Sequence, residues 1–477
     1  MSEPFWNEQR VAQCLNHPHT ERNLGFSAIV TDSRKIVRDS LFVCLRGDRF
    51  DGHDFIAQAI AAGATGVVLE VGRWPPGIAR ASVAVFEVPA PLHVLRQLAG
   101  WYREQFTIPL VMVAGSVGKT TTKELLAAGL SAALGKPVHR TAGSENGFLG
   151  IALTLLKLEP QHAAAVIEVG IDDIGAMAQH VALLKPDGVL VTAIGPEHLE
   201  HLRDIDTVAR EECLALDDAL ARGKPVALQL DEPWIVQRYR AATGCAIVGA
   251  TLGEVSYAGR VAQGRVTATD DSGSRLRVTL DDKSYELTVP VPGLHNARNG
   301  LLAFAMGAAL GMEPALLIRG MAEFKAAFGR GEVSRFDNGV VVLRDYYNAN
   351  PTSVAAALDM LAATARGARW ACLGDMLELG ANEQAFHESL AEPLTRLRVE
   401  HVLLFGARMQ WLAQRLGASG FSGQVSHFAT HDDMAQALRD GVNAGDRILI
   451  KGSRGMRMEE VWKAFRAAYP ARELAVR

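Results

Sequence analysis

The sequence contains little that would place the protein outside the cell or in a membrane. Its five cysteines, among 477 residues, are odd in number, far apart and never in a Cys-x-x-Cys spacing, which argues against a disulfide framework. No apolar run reaches the ~18 residues that a membrane-spanning helix needs. The N-terminal stretch MSEPFWNEQR has no basic start followed by an apolar run, so we expect no signal peptide. We therefore expect a cytoplasmic protein with reduced thiols and no membrane insertion.

An excess of positive charge is also absent. The net charge of −4 leaves no overall basic field that would hold nucleic acid. Internal repeats and low-complexity tracts are missing as well. What the sequence has in quantity is core-forming material, since 48% of its residues are hydrophobic and 21% are charged. At about 150 residues per domain, the length predicts about three domains.

The two outer parts of the chain alternate short apolar strands with helices. Residues 1–90 predict a small α/β domain with strands at 41–45 and 64–71. Residues 327–477 predict another α/β domain that ends with a helix at RMEEVWKAF. The strands predicted for this second domain lie at 339–345, 369–375, 401–406 and 447–453. Strand–helix alternation of this kind implies right-handed crossovers and a parallel sheet.

The central part, residues 91–326, predicts a larger α/β domain. The near-continuous apolar runs at 163–170 and 187–195 are typical of parallel strands that are covered on both faces. Residues 246–291 change character, because they alternate apolar and polar residues around DDSGS. That alternation predicts an antiparallel hairpin within an otherwise parallel region.

One turn of the central part carries the clearest chemical signal. AGSVGKTTTKE, residues 114–124, lies between a predicted strand, PLVMVAG, and a predicted helix, KTTTKELLAAGLSAAL. In that context backbone N–H groups and the helix N-terminus face an anion, Lys119 brings positive charge to phosphates, and Thr120 offers a hydroxyl to Mg²⁺. The alternative is a Gly-rich helix cap with a solvated lysine. The spacing differs from the usual G-x-x-x-x-G-K-[ST] loop, because Val113 stands in place of the first glycine.

That departure in spacing fits a known family. AGSVGKTTTKE resembles the [TA]-G-S-x-G-K-T-[ST]-x-K-E loop of the Mur ligases, the ATP-dependent amide ligases of peptidoglycan synthesis. Segments 345–361 (DYYNANPTSVAAALDML), 372–390 and 448–462 resemble motifs of the branch that adds D-alanyl-D-alanine. Segment 31–55 resembles the family's UDP-sugar domain. The resemblance covers essentially the whole chain.

The resemblance implies a three-domain Mur ligase architecture. Residues 1–90 would form an N-terminal domain that binds the UDP-sugar. Residues 91–326 would form a central P-loop ATPase-like domain with a parallel sheet. Residues 327–477 would form a Rossmann-like C-terminal domain that binds the incoming dipeptide and closes on ATP. We expect a monomer.

The resemblance also implies a reaction. ATP would phosphorylate the carboxylate of a UDP-N-acetylmuramoyl-tripeptide, and the amine of D-alanyl-D-alanine would attack the acyl phosphate. Such a reaction depends on positioning and charge stabilisation. ATP and Mg²⁺ are the implied cofactors.

Each site residue implied by the resemblance matches a family motif position. The implied catalytic residues are Lys119, Glu168 and His198. The implied nucleotide contacts are Gly115, Ser116, Val117, Gly118, Lys119, Thr120, Thr121, Asn296, Asn299, Arg330 and Asp345. The implied metal ligands are Thr120, Glu168, His198 and Glu212. The implied substrate contacts are Asp32, Ser33, Arg34, Gly52 and His53 on the UDP side and Tyr347, Asn348, Asn350, Lys451 and Ser453 on the dipeptide side. Asp375 and His387 lie near the dipeptide side without an assigned role.

One departure from the family concerns the second metal ion. The family carries a lysine that reacts with CO₂, and the resulting carbamate helps to hold the ion. In VAREECLAL, residues 208–216, Glu212 stands at the expected position and brings a carboxylate on a shorter side chain. Glu211 is the candidate if the placement is one residue off. The alternative is that both are solvated helix glutamates.

Two further segments depart from the family pattern. Residues 146–152 keep Asn146 and Gly150 but lose the second Asn, the acid and the Pro of N-N-x-[IV]-G-x-P. Asp172 and Asp173 stand where the family often has A-N-H-x-G-E-I. These changes leave two other hypotheses open. One is a diverged Mur-type ligase acting on other substrates, and the other is a non-catalytic nucleotide-binding protein.

Overall fold

The computed structural model describes residues 5–18, 23–47, 50–326, 328–364 and 367–474. It divides into two compact units. The first unit combines residues up to 108 with 145–160 and 182–184, and the second contains 109–144, 161–181 and 185 onward. No helix within the described ranges is both long and apolar enough to cross a bilayer.

The first unit contains a parallel sheet and a short antiparallel pair. Its elements up to residue 108 are β1 (Trp6–Asn7), α1 (Glu8–Leu15), β2 (Gly25–Phe26), β3 (Ala28–Val30), β4 (Ser40–Val43), α2 (Ile56–Ala61), β5 (Ala64–Glu70), β6 (Ala84–Val88) and α3 (Pro91–Arg103). Strands β3 to β6 pair in parallel in chain order, and β1 pairs antiparallel with β2. The strands predicted at 41–45 and 64–71 are confirmed as β4 and β5.

Two aromatic contacts hold the helices of this unit together. Trp6 lies 5.6 Å from Trp101 and 5.5 Å from Tyr102 between ring centroids, which fixes β1 against α3. The helix at 148–155 also packs on α3, where the Arg96 guanidinium lies 4.5 Å from the ring centroid of Phe148 and donates to its carbonyl oxygen at 3.0 Å. The departure at residues 146–152 therefore places an aromatic side chain in this packing.

The second unit begins with a nine-stranded sheet and its helices. Helix α5 and the end of α6 belong to the first unit, although they lie within this stretch of the chain. In chain order the elements are β7 (Leu110–Ala114), α4 (Lys119–Leu134), β8 (Val138–Arg140), α5 (Phe148–Leu155), β9 (Ala164–Glu168), α6 (Ala176–Leu184), β10 (Gly188–Val191), α7 (Leu199–Leu202), α8 (Ile205–Ala221), β11 (Val226–Gln229), α9 (Pro233–Tyr239), β12 (Ile247–Thr251), β13 (Arg260–Asp270), β14 (Gly273–Leu280), β15 (Lys283–Val289), α10 (Leu294–Ala309) and α11 (Pro314–Ala322).

The strand order of this sheet is β15-β14-β13-β12-β11-β10-β7-β9-β8. All pairs from β8 to β13 are parallel, so the carboxyl ends of β7, β9 and β10 meet at one edge. The predicted hairpin is confirmed, since β13 pairs antiparallel with β14 and extends the same sheet. The buried runs in β7, β9 and β10 are apolar throughout, apart from Glu168 at the end of β9.

The C-terminal part has its own six-stranded sheet. Its elements are β16 (Glu332–Arg335), β17 (Val341–Arg344), α12 (Pro351–Thr364), β18 (Arg369–Gly374), α13 (Glu383–Ser389), α14 (Ala391–Arg396), β19 (His401–Phe405), α15 (Met409–Ala418), β20 (Gln424–Phe428), α16 (His431–Gly441), β21 (Arg447–Lys451) and α17 (Glu459–Ala468). The order is β16-β17-β21-β18-β19-β20, and only the β16–β17 pair is antiparallel. The four predicted strands are confirmed as β17, β18, β19 and β21.

Candidate active site

The turn between β7 and α4, which we call the phosphate turn (residues 115–120), is tightly enclosed. Gly115 has φ 112° and Gly118 has φ 91°, a backbone conformation that favours glycine. A Cβ on Gly115 would lie 2.3 Å from Thr192 Oγ1, and one on Gly118 would lie 2.6 Å from Asn299 Oδ1. Both glycines are therefore required by shape as well as by backbone angle.

Two other predicted turn residues bind the loop after β10. Ser116 Oγ donates to the Gly195 carbonyl oxygen at 3.1 Å, and Val117 forms an isolated bridge with Ala193. Thr121 is half-buried in the first turn of α4. These contacts fix the turn to the neighbouring strand end, so its backbone conformation is set before any ligand arrives.

Lys119 points back into its own turn. Its Nζ donates to the Gly115 carbonyl oxygen and lies 3.4 Å from Glu197 Oε2. Burial would lower the pKa of Lys119, but the nearby charges of Glu197, Glu212 and Glu168 outweigh it and raise that pKa. The lysine is therefore held as a largely buried cation by carboxylates from β9, from the loop after β10 and from α8.

The acidic shell around Lys119 has spare acceptors. Glu212 Oε2 accepts from the Gly115 N–H at 2.7 Å, while its Oε1 is buried without a hydrogen-bond partner. Glu197 Oε1 and Glu211 Oε2 are also buried and unpartnered. Burial raises the pKa of Glu212, although Lys119 opposes the shift. Glu211 and Glu212 are both buried, so neither is a solvated helix glutamate.

Two of the predicted metal ligands come together. Thr120 Oγ1 donates to Glu168 Oε2 at 2.8 Å, and Thr120 Oγ1 lies 3.2 Å from Ser144 Oγ. The buried Lys123 places its Nζ 3.5 Å from Glu168 Oε2. A hydroxyl and a carboxylate oxygen this close are ligands that Mg²⁺ accepts.

The other two predicted metal ligands have different partners in this structure. His198 Nδ1 is 2.7 Å from Glu378 Oε2, at the start of α7. Glu212 is bonded to the backbone of the phosphate turn. Within the described ranges, no three His, Cys, Asp or Glu side chains are arranged to hold a metal ion. Thr120 and Glu168 therefore fit a Mg²⁺ ion that takes its remaining ligands from phosphate and water.

Three predicted nucleotide contacts lie around the phosphate turn. Asn299 packs directly on Gly118, and its Nδ2 donates to Asn296 Oδ1 at 3.4 Å. Asn296 in turn donates to the Pro292 carbonyl oxygen at 2.7 Å. Arg330 Nη2 donates to Ser144 Oγ at 2.5 Å. The start of the C-terminal part therefore reaches the phosphate turn through one serine.

The dipeptide-side candidates form a separate set, which we call the C-terminal polar cluster (Asp345, Asn348, Asn350, Lys451, Ser453). Lys451 is buried, and its Nζ lies 2.6 Å from Asp345 Oδ2 and donates to the Asn348 carbonyl oxygen at 2.9 Å. Asn350 Oδ1 accepts from the backbone N–H three residues later at 2.8 Å, at the start of α12. Ser453 Oγ donates to the Ala349 carbonyl oxygen at 3.2 Å.

Tyr347 connects this cluster to the nucleotide side. The Arg330 guanidinium lies 4.1 Å from its ring centroid, and the Arg454 guanidinium lies 5.9 Å from it. Asp345, predicted as a nucleotide contact, pairs with Lys451 in this structure. The unassigned Asp375 and His387 accept backbone N–H groups, of Met409 and Met376 respectively.

The UDP-side candidates lie in the first unit. Asp32 accepts from Arg34 at 2.9 and 2.8 Å in a two-pronged pair, and this bonding lowers the pKa of Asp32 to about 2. His53 is buried, with Nδ1 bonded to Asp51 and Nε2 accepting from the backbone of Glu70.

The two remaining UDP-side candidates occupy short helical turns. Ser33 is half-buried in the turn Ser33–Lys35. Gly52 has no room for a side chain, because a Cβ would lie 2.7 Å from the Leu45 nitrogen. Of the five candidates, the Asp32–Arg34 pair is the one with an exposed charged group.

Sequence reasoning missed Lys123, Ser144, Glu197 and Glu378. Lys123 stands in the quoted KTTTKELL helix, and the available signal was a second lysine four residues after Lys119. Glu197 and Glu378 meet their partners only through the fold.

These features define a nucleotide-binding α/β protein with a Gly-Lys-Thr turn at the carboxyl edge of a parallel sheet. The Mur ligase family, catalytic domain model matches residues 26–103, the Mur ligase middle domain 113–307, and the Mur ligase, glutamate ligase domain 329–454. The chain belongs to the Mur ligase family, whose members are ATP-dependent enzymes that form amide bonds. This confirms the α/β class and the three-domain Mur ligase architecture.

Curated relatives carry one name. The UDP-N-acetylmuramoyl-tripeptide--D-alanyl-D-alanine ligase of Bacillus subtilis is 31% identical over 458 residues, covering 95% of this chain and 96% of that protein. The enzyme of the same name from Escherichia coli is 32% identical over 461 residues, covering 95% and 97%. A crystal structure of MurF from Acinetobacter baumannii superposes with a TM-score of 0.84 at 24% identity, covering 98% and 99%, which shows a shared fold.

Proposed function

We propose that this chain is an ATP-dependent ligase that joins D-alanyl-D-alanine to a UDP-N-acetylmuramoyl-tripeptide in peptidoglycan synthesis. The observation that carries the proposal is the phosphate turn, where Lys119 and the Thr120–Glu168 pair converge at one sheet edge. Relatives with that name match nearly the whole chain.

The reaction proceeds in two balanced steps. A substrate carboxylate oxygen attacks the terminal phosphorus of ATP, and ADP leaves. The dipeptide amine then attacks the acyl carbon, the C–O bond to phosphate breaks, and the amine nitrogen gives up a proton. Positioning and charge stabilisation supply most of the rate enhancement in such phosphoryl transfers.

The residues of the phosphate turn have distinct tasks. Lys119 exchanges its bonds to Gly115 and Glu197 for the terminal phosphate. Thr120 and Glu168 would hold Mg²⁺, which supplies positive charge to the phosphate oxygens when bound. Asn299 keeps the turn in shape by packing on Gly118, and Arg330 faces the nucleotide from the C-terminal part.

The substrate sides remain proposals drawn from the family motifs. The exposed Arg34, held by Asp32, is the candidate for the UDP phosphates, because a guanidinium suits two-pronged phosphate binding. Tyr347 and the C-terminal polar cluster are the candidates for the dipeptide.

The organisation of the protein is proposed on similar grounds. We propose domains at 1–90, 91–326 and 327–477, a monomer, and a cytoplasmic location, in keeping with five free cysteines.

The test is phosphate release by the purified protein with ATP, Mg²⁺, the tripeptide nucleotide and the dipeptide. Release is expected only when both substrates are present, with one phosphate for each pentapeptide nucleotide formed. Omitting each substrate in turn provides the controls. Release that does not need the dipeptide, or that occurs only with other amines from a panel, would overturn the assignment in favour of a diverged ligase.

A further inference from the structure

Ser144 lies between two groups that the proposed function uses. Its Oγ is 3.2 Å from Thr120 Oγ1 on one side and 2.5 Å from Arg330 Nη2 on the other. Thr120 belongs to the phosphate turn, and Arg330 to the start of the C-terminal part. No family motif quoted above assigns this serine a role.

The direction of each hydrogen bond follows from the donor groups. A guanidinium only donates, so Ser144 Oγ accepts from Arg330. Thr120 has a single hydroxyl hydrogen, and Glu168 Oε2 takes it at 2.8 Å. Thr120 Oγ1 therefore accepts the hydrogen of Ser144. The result is a continuous chain of hydrogen bonds, in which Arg330 donates to Ser144, Ser144 to Thr120, and Thr120 to Glu168 at the end of β9.

Hydrogen bonds to α4 and β9 hold the backbone that leads to Ser144. The ammonium of Lys123, which is fully buried, donates to the carbonyl oxygens of Thr141 and Gly143 at 2.7 and 2.8 Å. Thr141 Oγ1 also accepts from the Glu168 N–H at 2.9 Å. These three hydrogen bonds hold residues 141–143 against α4 and β9. They thereby fix the position of the Ser144 hydroxyl relative to Thr120.

Arg330 has two contacts of different kinds. The Tyr347 ring, 4.1 Å from the guanidinium, restricts the plane of the group but not its direction within that plane. The bond to Ser144 sets the direction and aims one edge at the phosphate turn. Without Ser144, the guanidinium would keep the Tyr347 contact but lose its alignment with Thr120.

We propose that Ser144 is a positioning residue for nucleotide binding, which holds the Arg330 guanidinium in line with Thr120. The inference rests on the proposed function, because Arg330 serves there as a nucleotide contact. Ser144 would thereby link the phosphate turn to the C-terminal part, and its removal would weaken binding of a triphosphate by misdirecting an arginine that is still present.

The experiment measures the Kd of a Mg²⁺-loaded, non-hydrolysable ATP analogue by calorimetry. Ser144→Ala is expected to raise Kd about 10-fold, the scale of a hydrogen bond to a charged group. Arg330→Met is expected to raise it at least as much. The double variant should be no weaker than Arg330→Met alone, because both changes remove the same interaction.

Two further variants separate positioning from general damage. Ser131→Ala removes a serine of α4 whose hydroxyl donates to the Lys136 carbonyl oxygen, and it should leave Kd unchanged. Ser144→Thr keeps the hydroxyl and should stay within about 3-fold of the unsubstituted protein. In steady-state kinetics, Ser144→Ala should raise KM for ATP and leave KM for the dipeptide unchanged.

The inference is overturned if Ser144→Ala binds the analogue as tightly as the unsubstituted protein. It is also overturned if the losses from Ser144→Ala and Arg330→Met add in the double variant, or if Ser144→Thr fails to restore binding. Should the unsubstituted protein itself not bind the analogue, the proposed function fails and this inference fails with it.

Discussion

The phosphate turn and the C-terminal polar cluster each contain a largely buried lysine beside carboxylates, yet they are built differently. The Lys451 ammonium bonds the Asp345 carboxylate and the Asn348 carbonyl oxygen, so the charges of Lys451 and Asp345 are paired with each other. Around Lys119, by contrast, Glu197 and Glu212 each keep a buried carboxylate oxygen with no partner. The charged groups of the C-terminal polar cluster are already paired with one another, whereas the phosphate turn leaves buried acceptor oxygens without a partner.

The difference has an energetic meaning. A buried carboxylate oxygen without a partner costs free energy of folding, on the order of 1–3 kcal/mol. Sites that bind ligands tolerate such costs, because binding to the folded state recovers the free energy. We therefore expect substitution of Lys119 to act mainly on activity, whereas substitution of Lys451 should also lower the free energy of unfolding.

The largest effect is expected at Lys119. Lys119→Ala removes the cation that faces the terminal phosphate and should lower kcat/KM about 1,000-fold. Phosphate-release kinetics under saturating dipeptide provide the measurement. Lys136→Ala, an exposed lysine just after α4, is the matched control and should keep full activity. Activity within 10-fold for Lys119→Ala would remove the basis for the phosphate turn as the catalytic centre.

Lys451 should give the next largest effect, and it should appear in stability. Lys451→Met leaves Asp345 without its buried partner and should lower the free energy of unfolding by about 3 kcal/mol. Urea denaturation measures the change. Lys463→Met, whose ammonium is exposed beside Glu460, serves as the control and should change little. An equally small change at Lys451 would show that the cluster does not maintain the local fold.

A smaller effect is expected at Glu212, with a pH dependence. Because burial raises the pKa of Glu212 in the folded protein, the folded state binds its proton more tightly than the unfolded state. The stabilisation from this tighter proton binding is present at acid pH, and it is lost as the pH rises above the ordinary pKa of a glutamic acid.

Unfolding measured from acid to alkaline pH tests this linkage. The protein with Glu212 should lose stability relative to Glu212→Gln as the pH rises, by on the order of 1 kcal/mol. Glu254→Gln, at an exposed position, should show no such trend. Parallel pH curves for the protein and Glu212→Gln would contradict the raised pKa of Glu212 in the folded protein.

The smallest effect on stability is expected at Arg34. Its pair with Asp32 is exposed, so Arg34→Ala should leave the unfolding midpoint unchanged. The same change should raise KM for the UDP-linked substrate about 5-fold, if the guanidinium binds its phosphates. Arg38→Ala, at another exposed arginine of the same unit, is the control and should leave both quantities unchanged. A shift in midpoint without a change in KM would assign Arg34 a structural role.

Much of the fold could be predicted from local patterns. Helix α4 begins and ends where expected, because Gly118 and Gly135, both with positive φ, bound it. Strand β20 was not predicted, since an exposed edge strand with polar residues has no apolar run. The pairing of β12 with β13, which extends the sheet by a hairpin, depends on contacts that no local pattern contains.

The candidate site was predictable only in part. The phosphate turn carries its own glycines and lysine, so its chemistry can be inferred from eleven adjacent letters. The pairing of Lys119 with Glu197 joins residues 78 positions apart, and that of Arg330 with Ser144 joins residues 186 apart. His198, predicted as a metal ligand, contacts Glu378, a partner that chain order does not indicate. Long-range partners of this kind depend on topology rather than on local spacing.

The discontinuity of the first unit has a consequence for how the chain is made. Helix α5 packs on α3 through the Arg96–Phe148 contact, although residues 109–144 of the second unit come between these two helices in the chain. During synthesis, the side of α3 that contacts α5 stays uncovered until α5 has left the ribosome. A fragment that stops at residue 108 would leave the surface of α3 that α5 covers exposed to solvent.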